Sequence, residues 1–191
     1  MFDKSEYFQT IEHAKRSEQS DIKAFKIDDT DGIAESLGFN GNMISKVDYF
    51  LEKECHIQLI ELSDLQENFK VCVSNISEAI EKIEQDKTIK PKQKREQTKA
   101  VKKNVWLKLR DEFFKKWNGS IAVIERLYRK TNQPIDNDPQ YSLLIVCKNS
   151  TDTKILEALN LELCSQLNGQ CGMVKSVQVC RTEELNQFLL D

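Results

Sequence analysis

The chain has 191 residues, enough for one ordinary domain, with 39% hydrophobic and 31% charged residues. Recurring aliphatic periodicity excludes the disordered class. No apolar run approaches the ~18 residues of a membrane span, and six glycines leave little material for a phosphate-cradling loop.

The net charge of −3 argues against generic polyanion binding, yet it hides an asymmetry. Residues 87–130 carry 15 Lys or Arg against 4 acids (Glu96, Asp111, Glu112, Glu125), while the rest carries 13 bases and 27 acids. Such separation points to a polyanionic partner, an acidic protein partner or self-association; a solvated Lys-rich helix face is the plain alternative. The six cysteines (Cys55, Cys72, Cys147, Cys164, Cys171, Cys180) form no C-x-x-C pair. The opening Met1-Phe2-Asp3-Lys4-Ser5-Glu6 is polar and acidic, unlike a signal peptide. A cytoplasmic location with reduced, partly buried thiols is therefore expected. Two histidines, His13 and His56, are too few for a His-rich metal site.

In chain order, Tyr7, Phe8, Ile11 and Ala14 lie at helical spacing and predict a helix over residues 3–18. Ile22–Ile27 reads as a short strand. Residues 28–42, rich in Asp, Gly and Asn, read as a turn region with one helical turn over 33–37 behind Asp31. Val47, Tyr49 and Leu51 alternate with Asp48, Phe50 and Glu52. A polar turn at Lys53-Glu54 leads into the apolar run His56–Leu62, so a hairpin is expected with its second strand central and buried.

Ser63-Asp64-Leu65-Gln66 has capping-box spacing, which predicts a helix from Ser63 to about Gln85. Its seam is Leu65, Phe69, Cys72, Ile76, Ile80 and Ile83. Residues 86–93, with Pro91, form a break, and a second helix resumes by Lys94 with Val101, Val105, Leu109, Phe113 and Trp117 on its apolar side, flanked by Trp106 and Phe114. Asn118-Gly119 reads as its C-cap. The pair predicts an αα-hairpin inserted over residues 63–118 of a single domain spanning 1–191. The apolar spacing is core-like, and any exposed part is a docking face for a partner helix.

Ile121, Ile124, Leu127 and Tyr128 predict a further helix, and residues 131–140, with Pro134 and Pro139, a loop. Ser142–Cys147 is a buried strand. A helix capped by Thr151 or Asp152 follows, carrying Ile155, Leu156, Leu159 and Leu163 and ending near Asn168-Gly169. Val174–Cys180 is the next strand, in a parallel crossover with the one before. Thr182-Glu183-Glu184 opens a C-terminal helix with Leu185, Phe188 and Leu189. The fold class is α+β: a mixed central sheet flanked by helices, with a long αα-hairpin insertion.

The segments Val47-Asp48-Tyr49-Phe50-Leu51-Glu52 and Ile57-Gln58-Leu59-Ile60-Glu61-Leu62-Ser63 resemble the core of the restriction-endonuclease-like PD-(D/E)xK nuclease fold. The resemblance covers about the first 85 residues and the final 50. It implies Asp48 as the strand aspartate, Glu61 as the E-x-K glutamate and Glu12 as a helix-borne acid. Asp48 and Glu61 would hold Mg²⁺, whose charge stabilises an attacked phosphodiester. Ser63 stands where the motif lysine belongs, and serine carries no charge; Lys70 is a conceivable substitute, and Asp64 a conceivable extra ligand. The plain reading makes Ser63 a helix N-cap and Asp48 and Glu52 solvent-face residues of an edge strand, whereas Glu61, between Ile60 and Leu62, needs a partner wherever it is buried.

The missing lysine and the split charge together imply a non-catalytic, degenerate nuclease-like subunit without a cofactor. It would bind a protein partner or a second copy, and nucleic acid as a further ligand, in a prokaryotic DNA-processing or anti-phage (antiviral defence) assembly. The alternative is a Mg²⁺-dependent nuclease acting through Asp48 and Glu61. DNA or other nucleic acid would be met by Lys90, Lys92, Lys94, Arg95, Lys99, Lys102 and Lys103. With no stacking aromatic among them, that contact would be sequence-blind and salt-sensitive. No membrane partner is expected.

Overall fold

Two runs of branched and aromatic residues, His56–Ser63 and Gln140–Cys147, set the middle of the fold, because a strand apolar on both sides must be covered on both faces. The computed structural model describes residues 2–39, 43–132, 139–167 and 174–189. Its strands are β1 (Phe8–Glu12), β2 (Gln19–Lys26), β3 (Tyr49–Lys53), β4 (His56–Ser63), β5 (Gln140–Cys147) and β6 (Val174–Arg181). They form one six-stranded sheet in sequential order. β1 to β4 are antiparallel neighbours, and β4, β5 and β6 run parallel. The helices are α1 (Ile33–Ser36), α2 (Leu65–Gln85), α3 (Pro91–Thr131) and α4 (Thr153–Leu167). The fold is thus α+β with a mixed sheet, and α2 and α3 together form the crossover between the parallel strands β4 and β5.

Side-chain alternation divides the core between the two faces of the sheet. Phe50, Leu59, Leu143, Ile145 and Val177 face the side covered by α1, α3 and α4. Tyr49, Ile60, Leu144, Val146 and Cys180 face the other side, closed by Ile11, Ala24 and Leu185.

The hairpin is buried only at its base. Leu65 starts it at 1% exposure, and the next buried residue described along it is Leu109, followed by Phe113 and Trp117. The intervening parts of α2 and α3 therefore pack on each other and away from the sheet. The side chains of Phe69, Cys72, Val105 and Trp106, and the Asn168-Gly169 helix end, lie outside the described residues, as does the 133–138 part of the loop read before β5.

Several local readings are corrected. The expected helix over 3–18 is a 3₁₀ turn (Lys4–Tyr7), the strand β1 and a second 3₁₀ turn (Ala14–Arg16). Pairing with β2 overrides the helical spacing, and Ile11 is fully buried. Glu12 therefore sits on a strand. The capping box does not form, because Ser63 is the last residue of β4, opposite Cys147. Gln66 instead accepts from the Asp152 N–H at 2.9 Å. Asn118-Gly119 does not end a helix: α3 runs 41 residues to Thr131 and absorbs the helix expected at 121–128. The C-terminal helix is a 3₁₀ segment, Thr182–Gln187. β3 is an interior strand, and Glu52 meets Lys4 and the Tyr128 hydroxyl rather than open solvent. No described helix is long and apolar enough to cross a membrane.

Candidate functional site

Asp48 directly precedes β3 and ties three strands together. Its carbonyl accepts from the Ile27 N–H at 2.8 Å, just past the end of β2. Its carboxylate Oδ2 accepts from the Leu62 N–H at 2.7 Å. β3 begins only at Tyr49, so Leu62 has no strand partner there and the side chain fills the place. Burial pushes the Asp48 carboxyl up to about 6, against the opposing pull of the Leu62 N–H and of Lys116.

Glu61 lies in β4, paired with Ile145 of β5, and is 2% exposed. Its alternation places it with Ile57 and Leu59 on the α3 side, where Lys116 of α3 donates to Oε1. Oε2 is buried and, among the described residues, has no hydrogen-bond partner. Burial, and next the charge of Asp48, push the Glu61 carboxyl up to about 8, although Lys116 pulls the other way. Burial weakens the Lys116 ammonium's hold on its proton, but Glu61 outweighs it and the net shift is upward. Burial thus favours the neutral form of both carboxyls, while Lys116 is the cation that opposes it.

The cation is the residue that sequence reading missed. Ser63 ends β4, and Lys70 is spent on Glu67 at 2.7 Å on an exposed turn of α2. Asp64 pairs with Lys148 at 2.8 Å and adds nothing to the site. Lys116 arrives from 55 positions away because of how α3 docks. The Ser120 hydroxyl accepts from the buried Val47 N–H at 2.8 Å and donates to the Lys116 carbonyl at 2.8 Å. Gly119 sits so close to the segment before Asp48 that an added Cβ would stand 1.9 Å from the Ser45 carbonyl oxygen. One turn of α3 thus sets the positions of Lys116 and Asp48 together.

Asp48 also opens on a cavity of about 370 Å³ shared with Glu12, His13, Lys15, Arg16 and Lys26. Lys15 and Arg16 hold left-handed backbone (φ 59° and 54°), an uncommon state for such side chains. Glu12 and Asp48 are therefore brought to one cavity, while Glu61 faces Lys116. His13 Nε2 lies 3.0 Å from Thr182 Oγ1, and burial lowers its pKa. The described cysteines are free thiols, and burial pushes Cys147 and Cys180 up to about 12, which leaves them unreactive.

The donor set suits a hard cation. Asp48 and Glu61 offer carboxylate oxygens, and Glu61 Oε2 is one that no described residue hydrogen-bonds. Mg²⁺ takes one or two carboxylates and keeps several waters. Among the described residues no cluster of three or more His, Cys, Asp or Glu is spaced for a metal.

The two raised carboxyls predict an unusual pH dependence. A group whose folded pKa lies above its unfolded value stabilises fully below the unfolded value, near pH 4, and loses that contribution as pH rises through the folded one. Metal-free protein should therefore lose stability as pH rises through about 6 and again through about 8. Glu61→Gln should flatten the upper step in urea midpoints between pH 5 and 9; an unchanged slope would place Glu61 in a less buried setting.

In comparisons with known proteins, no family model, curated protein or solved structure matches the chain.

Proposed function

We propose that this chain is a divalent-cation-dependent phosphodiesterase acting on nucleic acid, with Asp48 and Glu61 as its metal-holding carboxylates and Lys116 as its lysine. One observation carries the reading: the Lys116 ammonium meets the Glu61 carboxylate. It supplies from α3 the charge that Ser63 withholds from the strand. Part of the layout supports the reading, since the antiparallel strands β2, β3 and β4 are followed by helix and the parallel strand β5, although Glu12 lies on a strand and not on the helix the resemblance implies. Bound Mg²⁺ would offset the charge that builds on an attacked phosphodiester. The chain's own tasks are to present two carboxylates held rigid by the sheet and to place Lys116 where it can orient a water or meet a phosphate oxygen. Lys15 and Arg16 line the cavity onto which Asp48 opens and would meet a substrate phosphate there. The test is Mg²⁺-dependent cleavage of single- and double-stranded DNA and RNA by the intact chain, and its loss in the Asp48→Asn, Glu61→Gln double variant.

A second reading is favoured by the depth of Glu61. A carboxylate 2% exposed and already matched by Lys116 is also what a structural ion pair looks like. On that reading the chain is a non-catalytic nuclease-like subunit, and its hairpin does the binding. Lys92, Arg95, Lys99 and Lys102 recur at helical spacing along α3 and are exposed. Lys94 is not free for this, because its ammonium bonds the Glu84 carbonyl at the end of α2. Reversing Lys92, Arg95, Lys99 and Lys102 to Glu should weaken nucleic-acid binding and lower the salt slope by about 3 to 4, at roughly 0.9 per phosphate contact. Binding that is unmoved by the reversal reassigns the stripe to solubility or to an acidic protein surface.

A further inference from the structure

We propose that a second cavity, on the outer flank of α3 about 15 Å along the helix from Lys116 (ten residues at 1.5 Å each), is a binding site for a nucleotide unit. It does not rest on the phosphodiesterase reading. The cavity is open to solvent, has a volume of about 550 Å³ and is lined by Phe39, Ala122, Glu125, Arg126, Arg129 and Lys130. That volume lies within the range of small-ligand sites.

Its charge selects an anion. Among the described lining residues three cations face a single acid, and Glu125 is only loosely engaged, 3.5 Å from Arg129. Among the described residues neither Arg126 nor Lys130 has a carboxylate partner. Basic residues in the last turn of a helix also answer its dipole, which accounts for Arg129 and Lys130. It does not account for Arg126, which lies a turn earlier with its guanidinium 5.6 Å from the centre of the Phe39 ring.

The rest of the wall selects what the anion is attached to. The Phe39 ring and the Ala122 methyl offer apolar surface that a small hydrated anion would leave uncovered. A flat ring joined to a phosphate covers both: the base stacks on the Phe39–Arg126 pair and the phosphate meets Arg129 and Lys130. The platform is held in place. α1 ends in a Schellman motif, with the Gly38 N–H on the Glu35 carbonyl and the Phe39 N–H on the Ala34 carbonyl, both at 2.9 Å. Gly38 has φ +88°, as that motif requires, and Phe39 packs its inner side on the main core.

The test is calorimetric titration in EDTA, so that no divalent cation bridges the ligand to Asp48 or Glu61. The probes are adenosine 5′-monophosphate, adenosine, inorganic phosphate and a short oligodeoxyadenylate. The monophosphate should bind at least about tenfold tighter than adenosine or phosphate alone, since it uses both halves of the cavity. Arg126→Ala, at an exposed position that should not affect folding, should weaken it about tenfold. Arg129→Glu with Lys130→Glu should abolish the preference over adenosine, and Asp48→Asn with Glu61→Gln should leave binding unchanged. An oligonucleotide that binds more tightly than the monophosphate, and is equally sensitive to Arg126→Ala, identifies the ligand as a strand; equal affinities identify a free nucleotide. Monophosphate binding no tighter than phosphate, or indifferent to Arg126→Ala, overturns the proposal.

Discussion

Asp48→Ala and Glu61→Ala are each expected to lower Mg²⁺-dependent cleavage by a factor of about 10³ or more, and Lys116→Met by about 10². The first two remove the proposed metal donors, and among the described residues no group of three or more His, Cys, Asp or Glu is spaced to hold a metal. The third removes the ammonium but not the metal's partners, so a smaller loss is expected. Losing Lys116 also leaves Glu61 buried without its cation. Burial already favours the neutral carboxyl, so Glu61 should take up a proton at still higher pH. The pH–rate profile of Lys116→Met should therefore shift to the alkaline side, a change that loss of a merely structural contact would not produce. Lys116→Arg keeps the charge and should recover part of the rate. Circular dichroism and urea midpoints on every variant separate loss of chemistry from loss of fold. Cleavage that survives Asp48→Asn with Glu61→Gln would move the chemistry elsewhere. Absence of cleavage in the folded wild-type chain on all four nucleic-acid substrates would leave the hairpin-binding subunit as the function.

Gly119→Ala is expected to destabilise the protein by about 3 kcal/mol, and larger residues by more. Two effects oppose each other. Alanine is the better helix former, worth about 1 kcal/mol in mid-helix. Against that, the new methyl would lie 1.9 Å from the Ser45 carbonyl oxygen, a backbone atom that cannot swing aside. Overpacking of this kind costs about 1–3 kcal/mol, and more where backbone must move. Moving α3 outward would also stretch the Ser120–Val47 bond and leave a buried N–H unpaired, at about 1–3 kcal/mol. The clash therefore wins. Because the same turn carries Lys116, residual activity should fall further than the lost stability explains. Denaturant midpoints and activity at a temperature where the variant is fully folded measure the two effects separately. A Gly119→Ala chain about 1 kcal/mol more stable than the wild type would show that α3 does not approach the Ser45 segment so closely.

Much of the fold was open to reading residue by residue. β4 and β5 were legible as continuous apolar runs, because burial on both faces leaves no polar alternation to confuse them. The hairpin was legible because Leu65, Ile76, Ile80 and Ile83 keep helical spacing and Pro91 stops the chain from running straight on. Glu61 stood out inside an apolar run, where a charge needs a partner; Asp48 was singled out only by the resemblance to the nuclease core, and its burial beside the Leu62 N–H came from the packing of the strands. Composition and periodicity are local quantities, and these features are local.

What tertiary structure decided has a common physical cause: one local pattern serves two three-dimensional ends. Tyr7, Phe8, Ile11 and Ala14 fit a helix by spacing, but β2 offers Phe8–Glu12 a sheet edge and Ile11 a fully buried place, and pairing wins. Asn118-Gly119 carries the same local signal whether a helix stops there or another backbone passes against it; only the Ser45 carbonyl tells them apart. Ser63 and Gln66 have capping spacing, yet the strand keeps Ser63 and the Asp152 N–H takes Gln66. Lys116 is the sharpest case. It is one lysine in a basic stretch of 15 Lys or Arg, indistinguishable by composition from its neighbours. It becomes the partner of Glu61 because a glycine and a serine three and four residues on let α3 settle against the Asp48 segment at that turn. The sequence by itself determined that a buried Glu61 would need a partner, whether a cation or a backbone cap; that the partner is Lys116 was set by the packing of a 41-residue helix on a sheet.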